Sequence, residues 1–375
     1  MLDEGLRVTK PTIQPGLPGR DYHGREIFEL EKERIFFHGW FCVGRQEQLP
    51  NPGDFLTQEI ADESVIVIRT KDGDIQAFAN VCRHRGTRLL EEPSGHVKNA
   101  IVCPYHAWTY STEGRLVGTP NVHAEDGLPR SEYSLWPVAL QVWEGFLFVS
   151  FAPQPSPLLE ELAKDPDGPL DYERYGVGDL RSARTIVYEV EANWKILIDN
   201  FNECLHCPTV HPELVKIVPL YRKGIVLDPN RDDGGVTLAD GLYTFTIDGT
   251  SKLPQLPDLA DIDRRTYYGY AVFPNLLVNL FSTGVMAYTL YPRSPSHTTV
   301  VSDYLYRPET IEQESFDPND MVEFLDLVSR QDWDVCERAQ RGVRSRFFTR
   351  GVYPPQDALL HRFAERYLAS RGPSA

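Results

Sequence analysis

Residues 82–84 read Cys-Arg-His and residues 103–106 read Cys-Pro-Tyr-His, so a C-x-H is followed by a C-x-x-H after an interval of 18 residues. Two thiolates and two imidazoles can hold a metal centre. Zinc is one candidate, but Cys2His2 zinc sites more often place both Cys in one loop and both His in the other. Here each loop is mixed. A [2Fe–2S] unit with two Cys on one iron and two His on the other needs that mixture, and exchanging thiolate for neutral imidazole raises its reduction potential. Arg85-Gly86 and Pro104 suit tight loops around such a unit. Cys82, His84, Cys103 and His106 are therefore expected to hold a cluster rather than zinc.

A second group lies at DNFNECLHCPTVH (199–211). Helical spacing places Trp194, Leu197, Ile198, Phe201 and Leu205 on one stripe, with Asp199, Asn202, Glu203 and His206 beside it. That polar stripe could equally be a solvated face. Pro208 is expected to end or kink the helix just after His206. His211 precedes Pro212, which biases it toward extended backbone and lets it approach His206 from outside the helix. Two His and one carboxylate make the facial ligand set of non-haem Fe(II) oxygenases. For the carboxylate, a late helix offers Asp332 and Asp334. Asp332 falls with the apolar Leu325, Val328, Val335, Cys336 and Ala339, whereas Asp334 falls with Asp326, Arg330, Glu337, Arg338 and Arg341. A carboxylate on an apolar stripe is costly unless paired or metal-bound, which favours Asp332.

The elements that carry these residues change character along the chain. Residues 24–37 read as an amphipathic helix. From about residue 40, short β-rich runs follow at 64–70, 75–81, 100–103 and 140–151, separated by turn residues such as KDGD (71–74). The Pro-rich stretch 153–170 reads as a connector. Beyond it come a strand at 184–191, a helix at 192–206, strand-like runs at 267–273, 276–282 and 298–306, and helices near 318–345 and 356–369. The expected fold class is α+β: an N-terminal helical segment (1–39), an all-β domain (40–152), and an antiparallel sheet with helices packed on it (153–375).

The chain has 375 residues, enough for two domains. Its formal net charge of −16 argues against a nucleic-acid partner. The Arg338, Arg341, Arg344 and Arg346 cluster reads as a solvated helix face. No apolar run is long enough to span a membrane. The N-terminal MLDEGLRVTK lacks a signal-peptide core, so a cytoplasmic location is expected. Six cysteines in a chain this long are not a disulfide scaffold. No G-x-G-x-x-G follows a strand-like run, so electrons from NAD(P)H are expected to arrive through a separate reductase.

Both constellations together, in this order, resemble the Rieske non-haem iron oxygenases, over residues 24–369. The resemblance implies an all-β Rieske domain and a catalytic domain of helix-grip type. It implies that Cys82, His84, Cys103 and His106 hold the [2Fe–2S] cluster, and that His206, His211 and Asp332 hold the mononuclear iron. It also implies that Glu203, three residues before the first iron histidine, bridges His206 to the cluster ligand His106 of a neighbouring subunit in a homotrimer. The run EANWKILIDNFNECLHCPTVHPEL and the closing QDWDVCERAQRGVRSR are most similar to the branch acting on glycine betaine, choline, carnitine and stachydrine. Leu205 departs from that branch, which usually has Tyr there. The resemblance implies hydroxylation of an N-methyl group, with the unstable hemiaminal releasing formaldehyde. Tyr267, Tyr268, Tyr270, Phe273, Phe281 and Tyr288 are candidates for aromatic contact with a quaternary ammonium. The alternatives are an aromatic-ring or aromatic-acid hydroxylase, a Rieske electron-transfer or redox-sensing protein with an inactive second site, and a zinc-stabilised binding module.

Overall fold

Alternating apolar residues in the first half build antiparallel strands, as the two-residue side-chain period requires. A computed structural model describes residues 13–120, 122–164, 173–231 and 233–373. The opening MLDEGLRVTK and the 165–170 part of the connector lie outside the described residues. A seven-stranded antiparallel sheet runs in the order Phe41–Arg45, Phe146–Ser150, Pro137–Trp143, Ile75–Ala79, Glu63–Arg69, Asp54–Ile60, Ser94–His96. A three-stranded sheet, Ala100–Val102, Thr109–Ser111 and Leu116–Gly118, carries the second Cys/His loop. The run 140–151, continuous in hydropathy, is two strands. Glu144 (φ 48°) and Gly145 (φ 77°) turn the chain between them, the paired positive φ values that a tight hairpin requires.

The second half forms a six-stranded antiparallel sheet in the order Arg181–Val190, His297–Tyr306, Gly284–Ser294, Leu276–Phe281, Thr266–Val272, Val236–Thr237. Helices Trp194–Phe201, Asn319–Val343 and Ala358–Arg371 accompany it. The segment 24–37 is an α-helix at Arg25–Glu31 followed by a wider π-helical turn at Lys32–Phe36. Among the described residues no helix is long and apolar enough to cross a membrane. Arg338, Arg341, Arg344 and Arg346 are all exposed.

One expected helix is shorter than its periodicity suggests. Asn193 caps the start by accepting the Lys195 N–H, and the helix ends at Phe201 rather than His206. Leu205 therefore leaves the buried stripe and is 44% exposed. Asp199 is cut off from Glu203 and His206, so the predicted four-residue polar stripe does not form. Pro208 does not terminate a helix; it sits in the first turn of a new one, Cys207–Val210. Its missing N–H costs nothing there. Cys204 and Cys207 are disulfide-bonded across this break, a pairing not anticipated from the sequence, while Cys42, Cys82, Cys103 and Cys336 are free and buried. On the long helix Ala339 is exposed, not apolar-face; the buried face runs through Phe324, Leu325, Val328, Cys336 and Gln340.

Two features lock the halves together around the site. The Asn275 side chain both accepts from the Cys42 N–H and donates to the Cys42 carbonyl, each at 2.9 Å, joining the two sheets. Behind the helix Trp194–Phe201, fully buried Glu31 accepts from Lys195 Nζ (2.6 Å), Tyr367 Oη (2.7 Å) and Trp194 Nε1 (2.9 Å). A buried charge is tolerable only when paired and hydrogen-bonded, and this carboxylate has three donors.

Candidate metal centres

The loops Val81–Arg88 and Val102–Thr109 bring the first four candidates to one edge of the β-rich half. Cys82 and Cys103 are buried at the loop bases, while His84 is exposed and His106 half-buried at the tips. Gly86 (φ 74°) and Ala107 (φ 53°) provide the left-handed turns that fold each loop back. The two imidazoles lie together, with ring centroids 4.8 Å apart, and Trp108 stacks on His84 at 4.8 Å. Tyr110 Oη is 3.4 Å from Cys82 Sγ and accepts the Arg83 N–H. Arg85 Nη2 reaches His106 Nε2 at 2.7 Å. A guanidinium only donates, so Nε2 accepts in this contact. Buried thiols on one side and paired imidazoles on the other fit a cluster whose two irons have unlike ligands.

The second centre is assembled from three elements. His206 and His211 flank the short turn after the helix break, and Asp332 comes from the long helix. His206 Nε2 lies 3.2 Å from His211 Nε2, and Asp332 Oδ1 lies 2.8 Å from His211 Nε2 and 3.3 Å from His206 Nε2. Of the described residues, these form the one group of three or more His, Cys, Asp or Glu with converging ligand atoms. Asp334 instead pairs with Arg338 at the surface, 2.6 Å away. The outer nitrogens are fixed: His206 Nδ1 donates to Glu203 Oε1 (2.6 Å) and His211 Nδ1 to Gln331 Oε1 (2.7 Å). That selects the tautomer with the Nε2 lone pair facing inward, as metal-ligating histidines require. Gln331 was missed in the sequence; adjacency to Asp332 was its only signal.

Glu203 also accepts the backbone N–H of Leu205 and of His206, so the turn holds the carboxylate against the imidazole. Burial opposes a charged His206, but the hydrogen bonds to Asp332 and Glu203 outweigh it and push His206 up to about 9. Burial likewise opposes a charged Asp332, yet the two histidines hold it below the usual carboxylate range. Two imidazoles and a carboxylate meeting around one point fit a mononuclear iron with open positions.

These ligand atoms open onto a cavity of about 100 Å³ whose walls include Phe201, Tyr221, Phe245, Tyr267, Tyr288 and Trp333. No Lys or Arg is among the described residues lining it. Of the aromatic candidates, Tyr267 and Tyr288 reach it. Tyr270 and Phe273 line a separate, larger cleft. Tyr268 points elsewhere and donates to Asp263 at 2.8 Å. Phe281 stacks behind Tyr267. Tyr221, in the short 3-10 helix Pro219–Lys223, and Phe245, in an irregular segment, were missed because neither carries strand or α-helix periodicity.

Residues 39–141 match the Rieske [2Fe–2S] domain family, and residues 177–370 match the catalytic domain of ring-hydroxylating alpha subunits. The chain belongs to the Rieske oxygenase alpha subunits. The glycine betaine monooxygenase oxygenase subunit of Chromohalobacter salexigens is 31% identical over 373 residues, covering 90% of this chain and 81% of the relative. The carnitine monooxygenase oxygenase subunit of Acinetobacter baumannii is 30% identical over 338 residues, covering 90% and 87%. The crystal structure of the quaternary ammonium Rieske monooxygenase CntA with L-carnitine superposes with a TM-score of 0.74 at 26% identity, over 96% of each chain. Naphthalene 1,2-dioxygenase from Rhodococcus sp. shares the fold, with a TM-score of 0.75 at 21% identity. Rieske oxygenase alpha subunits are oxidoreductases that carry a [2Fe–2S] cluster and a mononuclear iron. As an oxygenase component, the chain acts on a small molecule and draws electrons from a separate reductase.

Proposed function

We propose that this chain is the oxygenase component of an N-demethylating monooxygenase acting on a small quaternary ammonium compound. In this reading His206, His211 and Asp332 hold the iron, Cys82, His84, Cys103 and His106 hold the cluster, and Glu203 links the two centres between neighbouring subunits of a cytoplasmic homotrimer. The observation that carries the substrate class is the aromatic cavity over the converging ligand atoms. A quaternary ammonium has no N–H to donate, so it is held by ring faces, at roughly 0.5–2 kcal/mol each. Glu203 and Asp332 give the cavity its acidic groups. The sequence similarity to glycine betaine and carnitine oxygenase subunits supports the same reading.

Bound iron would supply O2 activation with electrons delivered through the cluster. The chain's own residues supply the rest. Tyr267 and Tyr288 wall the space for the ammonium, the buried walls exclude bulk water, and Glu203 fixes the orientation of His206. The overall reaction consumes the substrate, O2, two electrons and two protons. It yields the demethylated tertiary amine, formaldehyde, water and one proton. The C–H bond of one methyl becomes C–OH, and the hemiaminal C–N bond then breaks, leaving its electron pair on nitrogen.

The test is coupled turnover with a surrogate reductase and NADH across glycine betaine, choline, carnitine, stachydrine and aromatic acids. Formaldehyde equal to O2 consumed with one ammonium compound is the expected result. O2 uptake without formaldehyde on an aromatic acid would reassign the enzyme to ring hydroxylation.

A further inference from the structure

The metal cavity has a neighbour. A cleft of about 1010 Å³ lies between the N-terminal segment, the helix Leu158–Leu162, the strand Thr266–Val272 and the helix Ala358–Arg371. The two spaces share five wall residues: Asn202, Leu227, Gly234, Gly269 and Leu359. These five are the septum between them. Gly269 keeps that septum thin, because a Cβ there would collide with the Tyr267 hydroxyl.

Asn202 is the polar member of the septum. It follows the last turn of the helix Trp194–Phe201, where its backbone N–H is bonded to Ile198 and Asp199. It is 8% exposed as a residue, and its side-chain amide is not fully buried and makes no hydrogen bond to the described residues. Asn202 lines both cavities, where its open amide is available to a ligand.

Charge differs on the two sides. The metal cavity has Glu203 and Asp332 with no Lys or Arg among its described lining residues. The cleft has Arg34, Lys164, Arg362 and Arg366 against Glu161 and Glu365. A cavity of about 100 Å³ suits a compact trimethylammonium head; any tail on that head extends toward the septum. A carboxylate on that tail would meet the Asn202 N–H donors, with the cationic cleft behind them.

We propose that the cleft is the substrate's route to the metal cavity and that Asn202, at the septum, binds the carboxylate of a zwitterionic trimethylammonium substrate. This rests on the quaternary-ammonium reading above and narrows it from cations in general to carboxylate-bearing zwitterions. Asn202 is here a specificity-determining residue, one position from Glu203 but without a role in electron delivery.

The experiment measures dissociation constants calorimetrically on the anaerobic, iron-loaded enzyme. The probes are glycine betaine and tetramethylammonium, which shares the head group and lacks the carboxylate. Asn202→Leu is expected to weaken glycine betaine about tenfold with tetramethylammonium unchanged within about twofold, and Asn202→Asp to weaken glycine betaine relative to tetramethylammonium further, through repulsion of the carboxylate. Retention of the mononuclear iron establishes that the catalytic half of each variant is folded. Both probes weakening together, or neither changing, overturns the assignment of Asn202. Leu227→Trp tests the route independently by narrowing the septum. It is expected to lower kcat/KM for carnitine more than for glycine betaine, and an unchanged value for both overturns the route. A wild-type enzyme that binds neither probe but binds an aromatic acid defeats the quaternary-ammonium reading itself, a result visible before any variant is made.

Discussion

The two candidate metal centres are built on opposite plans. The four residues of the β-rich half lie within 25 positions of one another, on two neighbouring loops whose histidines reach the surface. The three residues of the second centre span 127 positions, come from two local turns and a distant helix, and are less exposed, with His211 buried and His206 and Asp332 half-buried. The contrast follows from the work each can do. An exposed imidazole edge lets an electron enter and leave without the protein opening. Oxygen chemistry on a bound substrate requires water to be excluded, and only packed elements can do that. The cluster region is therefore a local device on a scaffold, whereas the iron region exists only once the catalytic half has folded.

That contrast can be broken experimentally. The largest expected effect is Asp332→Ala: loss of the mononuclear iron and a fall in turnover of roughly 1,000-fold or more, with the cluster absorbance unchanged. Iron analysis and turnover check it, and equal loss in Asp334→Ala would overturn the helix-face argument. Glu203→Ala is expected to keep both metal centres and lower turnover roughly 100-fold; iron loss would instead show that its hold on His206 outweighs any link between the centres.

Stability supplies the next test. Glu31→Ala strands Lys195 in the core and is expected to cost about 3–5 kcal/mol, read by denaturant unfolding. Replacing both members with apolar residues is expected to restore most of it.

A smaller effect is pH-dependent. His206, pushed up to about 9 by its carboxylate partners, is protonated in the metal-free protein below that pH. A metal must displace that proton, so affinity is expected to fall about tenfold per pH unit as pH drops below 9. Competition with a chelator across pH 6–9 measures the slope, and a flat profile would sink the assignment. Smallest is Tyr110→Phe, which removes the hydroxyl beside Cys82 Sγ and is expected to lower the cluster potential by some tens of millivolts. A voltammetric potential unchanged from wild type would show that the hydroxyl does not tune the sulfur.

Legibility followed the range of the interactions. The loops at 82–88 and 103–108 were readable because loop chemistry is local: ligand spacing, a Gly and a Pro sufficed. The strand 184–191 and the helices near 318–345 and 356–369 were readable from periodicity. The helix at 192–206 was overextended. Its hydropathy continues through Leu205, but the backbone turns at Asn202 to bring Glu203 onto His206, a preference set by side-chain hydrogen bonds and not by apolar spacing. The aromatic walls were half legible. Tyr267 and Tyr288 lie on strands, whereas Tyr221 and Phe245 arrive from a short 3-10 helix and an irregular segment that carry no such pattern.

By itself the sequence determined which atoms could bind metal, that each cysteine loop was mixed, and that Asp332 rather than Asp334 lay on the helix face turned inward. These follow from residue type and from periods of two and 3.6. Only the tertiary structure decided that Asp332 meets His206 and His211, that Gln331 orients one of them, that Cys204 pairs with Cys207, and that Asn202 stands with an unpartnered amide between two cavities. Each of those depends on contacts between residues brought together by packing, and packing geometry is not written in any local run of the chain.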